Sequence, residues 1–320
     1  MRLTLVFAVS FSLFSFAANA QDYHVYHSKV RMIENSLLTQ DWNDALAKYL
    51  ELEKGYDFLF AKDLKIALQL AYRARDSASF QRFSEAAFAR GWEWKKAKKE
   101  LKENPDFPSG MGIRLKSISK NTEKSEVRHP ETREQVKELF AQDQWQALGA
   151  LFTFSSDKRE RHAERKFAPK AKLRVERIQE IIKEIGYPGE MLIGNFVWAS
   201  TILSHYNSMS EELTKADILY PAMKITLQRE LGLGRISPFE FALIDNWYQS
   251  VKSGRTVESY GILEGEVSEG SVASVDANRL AVGLPTIEIY NQLLALQNES
   301  GIRLFFGQAW GGNSPIGIKN

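Results

Sequence analysis

The strongest constraint on the fold is the spacing of apolar residues in the first hundred positions. HSKVRMIENSLLTQ, DWNDALAKYLELEKGY, KDLKIALQLAYRARD and SASFQRFSEAAFARGW follow one another. Each repeats apolar residues three or four positions apart, as in Ala45, Tyr49, Leu52 and in Phe80, Phe83, Ala87. A strand would alternate every second residue, so this period predicts amphipathic helices. Asp41 and Asp76 stand where helix N-caps are wanted, and Gly91 follows a helix as a stop. The C-terminal half carries the same punctuation. KLRVERIQEIIKEIG ends at Gly186 with Pro188 beyond it, and SPFEFALIDNWYQSVKSG opens with Ser237, Pro238 and Glu240, a capping box. EELTKADILYPAMKITLQRELGLG predicts a helix broken or kinked at Pro221. A last helix, TIEIYNQLLALQNES, stops at Gly301, and the apolar tail after it is expected to pack back on the body. Only RTVESYGILEGEVSEGSVASV reads as β-prone, a small hairpin or irregular loop. The expected class is mainly α: an N-terminal helical-hairpin layer plus a C-terminal α-helical domain with a small β-hairpin.

The first twenty residues read differently. Arg2, an apolar run from Leu3 to Phe16 and the small-x-small triplet Ala18-Asn19-Ala20 form a secretory signal, with cleavage expected before Gln21. No later stretch reaches the roughly 20 apolar residues of a membrane span. The expected protein is exported, periplasmic or secreted, with no span after cleavage. It contains no cysteine. Disulfides, thiol catalysis and thiolate metal sites are therefore excluded, and the core alone must hold the fold.

Residues 21–102 are expected to form the hairpin domain, 103–172 a linker with a basic helical segment, and 173–320 the C-terminal domain. The linker reading rests on Pro105, Pro108, Gly110, Gly112 and Pro130 among many polar residues. Charge is uneven: net +8 from Lys95 to Arg177 and net −4 from His205 onward. The basic run 155–177 matches no nucleic-acid fold motif, and a solvated face is the expected reading. No HExxH, GxSxG, phosphate loop or DxDxDG calcium loop occurs, so no cofactor or metal is expected.

The paired helices, with an Asp, an aromatic three to four residues around it, small residues at the crossing and a period of about 34 that is only approximately kept, resemble tetratricopeptide-type hairpins. That resemblance implies a groove for a protein partner. A second resemblance covers Arg177 to Tyr290. The turn Gly186-Tyr187-Pro188, then Gly194, Ser204-His205-Tyr206-Asn207, Asp245-Asn246, Tyr260-Gly261-Ile262-Leu263 and Asp276-Ala277-Asn278-Arg279 with Gly283-Leu284 occur in that order. They resemble a bacterial domain family of unknown function found on exported proteins, often behind helical repeats. Its members show Gln-His-Ala-Asp, Asp-Arg, Tyr-Gly-Thr-Gln and Asp-x-x-Arg-x-x-x-Gly-Leu. The resemblance implies a polar cluster of His205, Asp245, Tyr260 and Arg279 drawn from separate elements.

This copy departs from the pattern. Ser204 and Asn207 stand for an amide and a carboxylate, Asn246 for a cation, and Ile262-Leu263 for a hydroxyl and an amide. A network short of members loses activity before it loses the fold. The expected function is an interaction or binding protein with a degenerate site. Trp198, Tyr260, Asp276 and Arg279 are its candidate ligand contacts, and a small molecule is an expected partner class. The alternative is an envelope hydrolase using His205 as general base or acid, oriented by Asp245. Trp198, Ile202 and His205 share one helical face, so a core role for the histidine competes with both.

Overall fold

In the N-terminal layer the chain reverses twice in the same way. Helices α1 (Tyr23–Leu38) and α2 (Trp42–Gly55) are joined through Thr39-Gln40-Asp41; α3 (Ala61–Arg73) and α4 (Ser77–Ala89) are joined through Ala74-Arg75-Asp76. In this computed structural model, which describes residues 21–124, 127–151, 167–263, 265–306 and 314–319, Gln40 and Arg75 take φ of 55° and 58°. Each is a left-handed residue that turns the chain sharply, and the next residue caps the new helix. Asp41 accepts from the Asp44 amide at 3.0 Å and Asp76 from the Ser79 amide at 3.0 Å. The two pairs stack with an offset near 35 residues, which the hydrogen bonds between them preserve. Tyr23 of α1 donates to the Phe58 carbonyl just before α3 across 35 positions, and Tyr26 of α1 to Asp63 of α3 across 37. This helical fold is consistent with a helical repeat.

Residues 103–121 do not form the linker that their prolines and glycines suggest. After α5 (Trp94–Leu101), a single π turn at Phe107–Met111 leads into α6 (Gly112–Asn121). Met111, Leu115 and Ile118 are buried in the same core as α1–α5. Pro108 sits at the start of the turn and Gly110 takes φ 133°, so these residues shape a tight entry rather than a free segment.

The second core is a bundle of α7 (Pro130–Leu151), α8 (Ala168–Ile185), the short α9 (Glu190–Ile193), α10 (Trp198–Asn207), α11 (Glu211–Ala216), α12 (Leu219–Gly232) and α13 (Pro238–Lys252). Ile178, Ile182, Ile202, Leu203, Leu227, Phe241 and Ile244 fill it. The capping box at Ser237 is complete in both directions. Pro221 neither breaks nor kinks a helix. The break precedes it, at Asp217-Ile218, and Asp217 caps α12 through the Leu219 and Tyr220 amides at 3.0 Å. Pro221 then occupies the first turn, where an amide has no helical partner to lose.

Beyond it lie β1 (Glu266–Ser268), α14 (Val272–Val282), α15 (Ile287–Ser300) and β2 (Gly317–Lys319). β1 falls in the expected segment, but it pairs in parallel with β2 of the tail, Val267 opposite Ile318, rather than with a sequence neighbour. The tail also returns to the first core: Leu293, Leu294, Leu296, Ile302, Leu304, Phe305 and Phe306 are buried with α1–α6. Gln69, fully buried, holds this return. Its amide donates to the Arg303 carbonyl at 2.9 Å, and its carbonyl accepts the Arg303 amide at 2.8 Å. The fold is therefore mainly α, with fifteen α-helices among the described residues. None of them is long and apolar enough to cross a membrane. The secretory signal expected at 1–20, and residues 155–166 of the basic run, lie outside the described residues.

Candidate functional site

Trp198, Ile202 and His205 do share a face of α10, and that face meets α7. Ile202 is in the core; Trp198 is half-buried, beside Phe140 and beneath the Arg133 guanidinium at 5.2 Å. His205 Nδ1 lies 2.5 Å from Asp143 Oδ2. The other Asp143 oxygen accepts from Arg174 Nη2 at 3.0 Å, and Arg174 Nη1 donates to Gln146 at 2.7 Å. Both Asp143 and Arg174 are buried, and Phe167 packs edge-on against the imidazole. The carboxylate that orients His205 is thus Asp143.

Asp245 belongs to another network. It accepts from Tyr220 at 3.0 Å, Lys224 at 2.9 Å, Tyr260 at 3.1 Å and Gln249 at 3.4 Å. Burial, together with the adjacent carboxylate, pushes the Tyr220 and Tyr260 hydroxyls well above their usual range. Tyr260 links this network onward, because its carbonyl accepts from Arg279 Nη1 at 2.8 Å. Arg279 also donates from Nε to the Pro285 carbonyl at 2.6 Å and lies over the Tyr290 ring. Asp276 sits inside α14 and accepts from the Ile287 amide at 2.7 Å, so it caps the following helix rather than its own. Asp245, Tyr260 and Arg279 are therefore brought together, while His205 is held with Asp143 and Arg174. Nothing in the sequence around Asp143 distinguishes it from any other polar helical residue.

A cavity of about 340 Å³ lies between the N-terminal layer and the C-terminal bundle. It is lined by α1 and α3 on one side and by Gly261, Ile262, Leu263, Gly265, Arg279, Gly283, Leu284 and the tail on the other. Gly261, Ile262, Leu263, Arg279, Gly283 and Leu284, all within the signature segments, contribute to its wall. Gly283 is required there: its φ is 94°, and a Cβ would come within 2.7 Å of His27 Cβ. No family model, curated protein or solved structure matches the chain.

The remaining walls are aromatic, with Phe60, Phe196, Phe239, Tyr290, Phe305 and Phe306, but several ionisable groups interrupt them. His27 and Glu34 are 4 % and 7 % exposed, and His27 Nε2 and Glu34 Oε2 have no hydrogen-bond partner among the described residues. Burial depresses the His27 imidazole to about 3, which keeps it neutral. Burial raises Glu34 and Asp63, pushes Glu190 up to about 7 and pushes Glu240 up to about 8. Asp63 spends one oxygen on Tyr26 at 2.6 Å, and Glu190 spends one on the Ala61 amide at 2.6 Å. Among the described residues, no group of three His, Asp or Glu side chains is placed to hold a metal ion. The α1 contribution had a trace in the sequence. Tyr23, His27, Val30 and Glu34 recur at four, three and four positions, so two polar residues fall on an inward stripe.

Proposed function

We propose that this chain is an exported binding protein, whose helical-repeat layer and C-terminal bundle together enclose a small-molecule site. The observation that carries the reading is a cavity of about 340 Å³ walled by both halves of the chain, with the buried side chains His27 and Glu34 among its lining residues. Export rests on residues 1–20. The resemblance of residues 177–290 to a domain family found on exported proteins is a second ground for proposing export.

The hydrolase alternative has less support. Its histidine is paired with Asp143, and its aspartate is held by two tyrosines and a lysine. An engaged partner for the repeat layer stays part of the proposal through the tetratricopeptide likeness alone.

Two measurements test this. N-terminal sequencing of the protein from a cell-envelope fraction should begin at Gln21; a chain retaining Met1 in the cytoplasm refutes export. Native mass spectrometry of the same material should show a non-covalent adduct that is absent from Leu263→Trp, which fills the cavity. Identical spectra for the two proteins refute the ligand site.

A further inference from the structure

The helix α5 has two chemically different faces. Trp94, Ala97 and Leu101, at i, i+3 and i+7, turn inward: Ala97 and Leu101 are buried, and Trp94 stacks on Phe107. Lys95, Lys98, Lys99 and Lys102, at i, i+3, i+4 and i+7, form an exposed stripe. α6 packs beside α5 and repeats the pattern, with Ile113, Lys116, Ser117 and Lys120 exposed at the same spacing. From Glu93 to Lys124, nine Lys or Arg stand against five acidic residues, net +4. The acids do little to offset the stripe. Glu100 is turned to Trp92 and Lys65, and Asp106 pairs with Arg73, which leaves Glu103 to meet Lys102 at 3.2 Å. Lys95, Lys98, Lys99, Lys116 and Lys120 make no ion pair among the described residues.

Such a stripe works against its own helix. Like charges three and four positions apart repel, and Lys95 and Lys96 place cations in the first turn, at the positive end of the helix dipole. The other basic stretch is built differently. On α8, Lys172 lies 3.8 Å from Glu176 and Arg177 lies 2.7 Å from Glu180, while Arg174 is buried against Asp143. Charge is neutralised within the fold there, and on α5 and α6 it is left facing outward. The kind of cation narrows the partner. Apart from Arg114, which lies over the Phe80 ring, the surface is all lysine. Lysine is a compact, strongly hydrated charge on a flexible stem, without the planar fork that grips a carboxylate. Protein interfaces are depleted in lysine and rest on Arg, Trp and Tyr anchors. A layer of anionic headgroups asks only for positive charge close to its surface, and four to eight such residues on a helical surface supply it. Ile113, 76 % exposed and one turn from Lys116, adds an apolar side chain that can enter the headgroup boundary.

We infer that α5 and α6 form a docking surface for an anionic phospholipid bilayer, with the lysines against the headgroups and Ile113 entering between them. The contact is peripheral, since no described helix is long and apolar enough to cross a membrane. It involves neither the cavity nor its lining residues. Exposed charges are screened beyond about 10 Å at 0.1 M salt, so the contact acts at close range and weakens as salt rises.

The test sediments the mature protein with vesicles of phosphatidylcholine alone, and with vesicles of phosphatidylcholine and phosphatidylglycerol mixed three to one, in 0.1 M and 0.5 M sodium chloride. The expected result is binding to the mixed vesicles at least tenfold tighter than to phosphatidylcholine, and weaker at the higher salt. Lys98→Glu with Lys99→Glu should weaken it at least tenfold. Lys170→Glu with Lys172→Glu makes the same change in net charge on α8 and should weaken it less than twofold. Ile113→Ser should weaken it about threefold. All five positions are exposed, so the variants keep the fold, with an unchanged circular dichroism spectrum as the check. Absence of binding, equal binding to the two kinds of vesicle, or equal weakening by the α5 and α8 variants overturns the proposal. Wild-type binding by Ile113→Ser overturns the insertion. Tighter binding to polyglutamate than to the mixed vesicles, lost in the α5 variant, assigns the stripe to an acidic protein and overturns the lipid partner.

Discussion

Gln69→Leu removes a side chain that makes four hydrogen bonds from a fully buried position. The amide donates to the Lys65 and Arg303 carbonyls at 2.8 and 2.9 Å, and the carbonyl accepts from Asn104 Nδ2 and the Arg303 amide, both at 2.8 Å. The Lys65 carbonyl keeps its helical partner, so three groups lose theirs: Asn104 Nδ2 and both backbone groups of Arg303. At about 1–2 kcal/mol for each orphaned group, the loss is about 3–6 kcal/mol. The apolar gain of leucine returns about 1–2 of that, leaving a net cost of about 1–5 kcal/mol. A domain stable by about 5–15 kcal/mol should survive it, weakened. Urea unfolding followed by tryptophan fluorescence measures the loss, and hydrogen exchange at 302–306 should rise because the tail loses its anchor. Gln81→Leu, at an exposed site on α4, is the control and should stay within about 0.5 kcal/mol. A cost below 1 kcal/mol with unchanged exchange in the tail would refute the argument that Gln69 fastens it.

Three further outcomes follow from the same physics. Asp143→Ala strands the buried Arg174 guanidinium and should cost about 3–5 kcal/mol in thermal or urea unfolding, more than His205→Ala; equal losses would contradict the ion-pair account. Stability should fall as pH rises from about 4.5 to 8, because Glu190 and Glu240 hold their protons in the fold to about 7 and about 8 while the unfolded chain has already released them. On the acid side His27 acts in the opposite sense, since the unfolded imidazole binds a proton below about 6.5 and the folded one only near 3; Glu240→Gln should flatten the alkaline limb of the Tm–pH profile, and an unchanged limb would rule Glu240 out. Gly283→Ala forces a left-handed residue with a Cβ against His27 and should lower stability by at least about 1 kcal/mol, with a drop in Tm as the readout.

Local order was legible in the sequence where one short stretch carries its own cause. Asp41 and Asp76 cap as expected, Ser237 and Glu240 close their box, and Gly186 and Gly301 end their helices, because caps need only residues within one turn. The tail's return was readable from its aromatic composition. What escaped depends on distant partners. Pro108 and Gly110 look the same in a linker and in a packed turn until α4 and α6 meet. The partner of β1 lies about 50 residues away, and Asp143 acquires its meaning only when α7 crosses α8 and α10. The cavity is likewise a product of assembly, since α1, α9 and α14 contribute its polar groups from opposite ends of the sequence.

The return of α15 and the tail to the first core sets a clock on folding. A chain made from its N-terminus completes α1–α6 early, yet the apolar surface that Leu293, Leu296, Ile302 and Phe306 cover has no lid until those residues exist. At about 5–20 residues per second, the roughly 180 residues in between take on the order of 10–40 s. For that interval the repeat layer has an unfinished face, which a holding chaperone can recognise. On the proposed export route the delay has a use: a chain that cannot close its first core until nearly all of it is made stays threadable through a translocation pore.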